Sequence, residues 1–146
     1  MSLVRNFHRF KINGWFLAAT LCGVIAPLAA LAQTSAEATA TRSSSDQGVT
    51  VKVSPKLIGS TDKLWEFAVV LDSHSAELND DLTQSASLTT SDGRTLKPVS
   101  WTGAPAGGHH REGVLAFEVP APRPGTIELR IARQGESAAR TFRWQL

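Results

Sequence analysis

Trp65-Glu66-Phe67-Ala68-Val69-Val70-Leu71-Asp72-Ser73-His74-Ser75 is the most regular run in the chain. Trp65, Phe67, Val69 and Leu71 alternate with Glu66, Ala68, Val70 and Asp72, the period of a strand with one face buried. The pattern recurs on both sides. Upstream, Val49, Val51 and Val53 alternate with Thr50, Lys52 and Ser54, and Pro55 is expected to end that strand. Downstream, Ala86, Leu88 and Thr90 form a weaker set closed by the turn Ser91-Asp92-Gly93-Arg94. Leu96, Val99 and Trp101 read as one short edge strand interrupted by Pro98. Three further strands follow, on Leu115, Phe117 and Val119, on Ile127, Leu129 and Ile131, and on Phe142, Trp144 and Leu146. Between Ala76 and Leu82 there is room for a single helical turn. Seven short strands punctuated by Gly, Pro, Asp and Ser predict an all-β chain, a seven-stranded immunoglobulin-like β-sandwich over residues 48–146. The usual pair of pinning cysteines is missing. Trp65, Trp101 and Trp144 are expected to fill the centre instead.

Ahead of the sandwich, residues 33–47 (QTSAEATATRSSSDQ) are small, polar and aperiodic, and read as a flexible linker. Residues 1–32 read as a signal peptide: Arg5, Arg9 and Lys11 precede the apolar run from Trp15 to Ala32, which closes on Ala30-Leu31-Ala32. Left uncleaved, the same segment would anchor the chain to a membrane. Ala19-Thr20-Leu21 ahead of Cys22 is not a lipoprotein signal. The protein is therefore expected in the periplasm or outside the cell. Cleavage removes Cys22 and Met1, the one cysteine and the one methionine, so disulfides, thiolate sites and methionine-rich copper(I) sites are excluded from the mature chain.

Hydrophobic residues at 42% and charged residues at 19% describe a globular chain and exclude a disordered one. There are 15 Lys and Arg against 13 Asp and Glu, but setting aside Arg5, Arg9 and Lys11 leaves twelve cations against 13 acids. A near-neutral domain lacks the basic stripe that nucleic-acid binding requires.

The residues with the richest chemistry are histidines. His74 follows the strongest strand, and His109 and His110 follow the glycine-rich segment Gly103 to Gly108. In a sandwich of this type the Trp65 strand and the Leu115 strand are antiparallel neighbours, so the end of one meets the start of the other. Alternation then sends Asp72, His74, His110 and Glu112 outward and His109 inward. His74, His109, His110 and Asp72 form a candidate site for zinc or copper(II), through imidazole nitrogens and a carboxylate oxygen. The plainer reading is a loop network in which Arg111 and Glu112 order the segment and Asp72 or Asp81 takes the Arg111 guanidinium. Other chemistry finds less support. Ser73 and Ser75 flank His74 without a G-x-S-x-G elbow. Asn79-Asp80-Asp81 lacks the spacing of a calcium loop. The glycine loop lacks the Gly-Lys-Ser/Thr of a phosphate cradle, and Trp101 is the one tryptophan positioned to be a sugar platform if exposed.

From Val49 to Leu146 the chain resembles a family of uncharacterised bacterial and archaeal exported β-sandwich domains with a GGHHR-type loop. The resemblance is carried by Trp65-Glu66-Phe67, Leu71-Asp72-Ser73-His74-Ser75, Asp81-Leu82, Pro98-Val99-Ser100-Trp101, Gly107-Gly108-His109-His110-Arg111-Glu112-Gly113 and Phe142-Arg143-Trp144. It departs from the family pattern at Gln145, where an acid is usual. The resemblance implies an exported sandwich domain and no particular activity. The expectation is therefore a non-enzymatic module with a structural role or an unidentified protein partner, needing no cofactor. The alternative is a divalent-metal binder.

Overall fold

The computed structural model describes residues 36–59 and 61–146, so the expected signal peptide, residues 1–32, lies outside the described residues. Two antiparallel sheets make up the fold. The strands are β1 (Arg42–Asp46), β2 (Val49–Leu57), β3 (Leu64–Ser73), β4 (Ala86–Thr90), β5 (Thr95–Leu96), β6 (Ser100–Gly103), β7 (His110–Glu118), β8 (Thr126–Ile131) and β9 (Arg140–Gln145). The first sheet runs β1-β2-β3-β7-β6 and the second β5-β4-β8-β9. No helix among the described residues is long and apolar enough to cross a membrane.

The alternation read from the sequence is the alternation of burial. Val49, Val51, Val53, Trp65, Phe67, Val69, Leu71, Leu115 and Phe117 from one sheet meet Ala86, Leu88, Ile127, Leu129, Ile131, Phe142 and Trp144 from the other. Phe67 sits at the centre, with its ring centroid 5.8 Å from Phe117, edge to face, and 5.6 Å from Trp144. Both fully buried tryptophans satisfy their indole N–H: Trp65 donates to the Gly59 carbonyl at 3.2 Å and Trp144 to the Ala40 carbonyl at 2.7 Å.

Four features differ from the sequence reading. The described residues form nine strands instead of seven, because the Leu96–Trp101 segment divides and β1 is added. Thr95–Leu96 pairs with β4, Ser100–Gly103 pairs with β7, and Pro98 lies in the crossing between sheets. A residue without an N–H cannot continue a ladder, so the chain changes partners there. Pro55 does not end β2; the strand continues to Leu57 through an irregular register between Pro55 and Leu57. The short helix is Leu82–Ser85, one step beyond the expected turn. Finally, residues 42–46 of the expected linker form β1. Gln47 and Gly48 have positive φ (46° and 74°), and Asp46 pairs with Val49 across them. Two such residues make the tight turn that suits strand twist, so β1 folds back on β2 although its serines bury little.

Candidate functional site

Strand β3 lies antiparallel to β7 in a register that sets Leu71 opposite Arg111 and Asp72 opposite His110. Residues directly opposite share a face. Asp72 and His110 therefore project together from the outer face of the first sheet, and His110 Nδ1 donates to Asp72 Oδ1 at 2.6 Å. The other ring nitrogen, Nε2, stands 3.8 Å from Glu112 Oε2. All three side chains meet solvent, with exposures of 40% for Asp72, 57% for His110 and 72% for Glu112. The hydrogen bond to Asp72, reinforced by the Asp72 and Glu112 charges, raises the His110 pKa above its ordinary value. The same bond lowers that of Asp72, with smaller help from the charges of His110, Lys52 and His74.

The other two histidines do not join this pair. His109, expected to point inward, is exposed, and its Nδ1–H donates to the Ala76 carbonyl at 3.2 Å. Strand parity does not reach it, because β7 starts at His110 and the preceding Gly107 and Gly108 have φ of 113° and 69°. Those left-handed positions turn the chain out of the ladder, a conformation open to glycine. The backbone of His109 still secures the loop, accepting from Ser73 N at 2.8 Å. His74 is exposed on the Asp72 side, with its backbone N–H on the Gly48 carbonyl at 3.2 Å. Among the described residues no three His, Cys, Asp or Glu side chains are gathered to hold a metal ion.

Beneath this face lies Arg111, in phase with the core and 2% exposed. Its guanidinium was expected to meet Asp72 or Asp81. Instead Nη1 donates to the carbonyls of Leu78 (2.9 Å) and Asp80 (2.8 Å), and Nη2 reaches the Ala104 carbonyl at 3.5 Å. Asp72 is on the opposite face of the sheet. Asp81 is occupied as a helix cap, accepting from Thr83 N at 2.9 Å and Thr83 Oγ1 at 2.7 Å, which lowers its pKa. Arg111 thus binds the 74–81 loop to the 104–110 loop through backbone carbonyls alone. Two ladder-like bonds between these loops, Leu78 N to Gly108 O and Gly107 N to Leu78 O, both 2.9 Å, complete the junction.

Trp101 covers Arg111, its ring centroid 5.7 Å from the guanidinium carbon, and donates Nε1–H to the Ala104 carbonyl at 2.9 Å. It is half-buried, so it is not the open sugar platform considered above. Gly103 and Gly113, paired across β6 and β7, make room for it: a Cβ on Gly113 would lie 2.6 Å from Trp101 Cζ2 and 2.7 Å from Gly103 Cα.

A further network escaped the sequence reading. The Asp80 carboxylate accepts from Arg133 Nε (2.8 Å) and Gln134 N (3.0 Å), which leaves it committed to the protein and not to calcium. Arg133 and Arg140 both bind Glu136, at 3.1 Å and 2.6 Å. Arg140 continues to the carbonyls of Ser44, Asp46 and Val49, each at 2.8 Å. These four charged side chains are all buried. The signal was present: Arg133 is in phase with Ile131, and Arg140 with Phe142 and Trp144.

Searches against family models, curated proteins and solved structures find no match to this chain.

Proposed function

We propose that the chain is an exported, non-catalytic module of immunoglobulin-like type, belonging with the GGHHR-loop sandwich domains it resembles, and that its loop pair 74–81 and 104–110 contacts a protein partner. Residues 1–32 act as its export signal, placing the domain in the periplasm or beyond. The observation that carries the reading is the buried Arg111, which binds both loops through the carbonyls of Leu78, Asp80 and Ala104. Loops fixed in this way offer a preorganised surface with little ordering cost on association. His74, His109, Glu77 and Asn79 stand on it with their polar side chains exposed. The test is a photo-reactive residue placed at Asn79 or at Ser87, on the outer face of the second sheet, in exporting cells. A discrete adduct from position 79, absent from position 87 and competed by excess purified protein, is expected. Equal adducts from both positions overturn the reading.

A second reading, divalent-metal binding, is favoured by one arrangement: His110 holds its Nδ1–H against Asp72 and turns Nε2 toward Glu112. A histidine oriented by a carboxylate is the usual form of a metal ligand. Zinc or copper(II) suits these donors.

A further inference from the structure

We propose that His110 and Glu112 from two copies of this chain complete one tetrahedral zinc site, so that zinc uptake and dimerisation are a single event. The proposal deepens the metal reading above and rests on it.

The donor count leads to the second copy. Zinc in a closed protein site takes four ligands, and among the described residues no three potential ligands are gathered in one chain. Two donors do stand close. His110 and Glu112 are two residues apart on β7, share its outer face, and hold Nε2 and Oε2 3.8 Å apart. With metal–ligand bonds of about 2.0–2.2 Å, neighbouring donors in a tetrahedron lie roughly 3.4 Å apart. A small rotation of the exposed Glu112 side chain closes that difference.

The ring is prepared for this role. Nδ1–H donates to Asp72 at 2.6 Å, so in the neutral imidazole the lone pair sits on Nε2, the nitrogen that faces Glu112. His74 supplies no third ligand: its backbone is tied to the Gly48 carbonyl, and no three donors are gathered among the described residues.

A second copy related by a two-fold axis brings an identical pair, giving two imidazoles and two carboxylates. Two glutamates balance the charge of the ion. The neighbouring surface is compatible with contact: Val70, paired with Glu112 across β3, and Val114, the next outward residue of β7, are half-buried side chains on the same face. Joining two copies there removes apolar surface from water.

The experiment is a titration of metal-free protein with zinc chloride, following bound zinc and molar mass by equilibrium dialysis and analytical ultracentrifugation. One zinc per two chains, with a doubling of mass reversed by chelator, is expected. His110→Ala and Glu112→Ala each abolish both effects, and His74→Ala leaves them intact. Asp72→Asn weakens zinc binding about 10- to 100-fold. One zinc per chain at unchanged mass overturns the shared site while sparing the metal reading. No zinc uptake dependent on His110 overturns both. Dimers formed equally without zinc overturn the claim that metal makes the contact.

Discussion

Arg111 and Trp101 form a stacked pair at the junction of two loops: the guanidinium lies 5.7 Å from the indole centroid while both donate toward the Ala104 carbonyl. The cation is buried without a carboxylate in contact, held by main-chain oxygens and an aromatic face. Burial lowers its pKa, opposed by the charges of Asp80 and Asp81, yet a guanidinium stays charged in a folded protein. The Arg111 bonds to the loop carbonyls therefore persist across the ordinary pH range.

Replacing Arg111 with Ala strands the Asp80 carbonyl in a buried space and leaves the Leu78 carbonyl with Gly107 N as its donor. At 1–3 kcal/mol for an unsatisfied group, the variant should lose about 2 kcal/mol of stability in urea unfolding. Arg111→Lys should recover less than half, because an ammonium cannot reproduce the planar fork that reaches both carbonyls and stacks on Trp101. Wild-type stability in Arg111→Ala would show that the loops are held by their mutual backbone bonds alone.

Gly113→Ala tests the close approach of β6 and β7. The added carbon meets Trp101 Cζ2 at 2.6 Å, but also Gly103 Cα and the Thr102 carbonyl at 2.7 Å. A loss of roughly 1–3 kcal/mol is expected from overpacking. Removing the indole as well, in Gly113→Ala with Trp101→Leu, should not restore stability, since the backbone contacts remain. Full rescue by the double variant would place the whole constraint in the tryptophan.

In metal-free protein, the His110 imidazole should titrate above its ordinary value of 6.5 when followed by NMR. Asp72→Asn removes the principal cause and should bring it down toward that value. Because the folded pKa is raised, the stabilisation from this pair is complete below about 6.5 and disappears as pH rises through the folded value. A His110 pKa unmoved by Asp72→Asn would contradict the hydrogen bond as its cause.

Glu136 works in the opposite sense. Its bond to Arg140, with Arg133 beside it, holds its pKa below the ordinary 4.5. The stabilisation is complete above that value and is lost as pH falls through the lower folded one. Arg140→Ala takes its donor from three carbonyls and leaves Glu136 with Arg133 alone, and breaking a buried pair this way costs about 3–5 kcal/mol. Urea midpoints between neutral pH and pH 3 should fall steeply for the wild type. For Glu136→Gln the fall should be shallower. Equal pH slopes would remove Glu136 from the explanation.

What was legible in the sequence follows from how far the two-residue period extends. It assigned Asp72 and His110 to one face because parity carries across an antiparallel register. It failed at His109, where two left-handed glycines interrupt the ladder. Parity also cannot say which sheet a residue pairs with, so the Leu96 to Trp101 segment read as one strand while Pro98 divides it between two. Strand β1 was invisible because its serines carry no apolar alternation; pairing and the Arg140 bonds hold it, and burial contributes little. Arg133 and Arg140 were legible in phase, yet cations at inward positions are easily set aside when the expectation is an apolar core.

The bond from Trp144 to the Ala40 carbonyl, together with Arg140 on the β1–β2 turn, joins segments about one hundred positions apart. Such closure is nonlocal and slow to form. A polypeptide emerging amino end first, from a ribosome or through a translocation channel, cannot seal this seam until Arg140–Gln145 is free. Until then the inner surface of the first sheet lacks the part of its opposing layer that Phe142 and Trp144 supply. The last strand is therefore the latch of the assembly process, and truncation within it should trap the chain open.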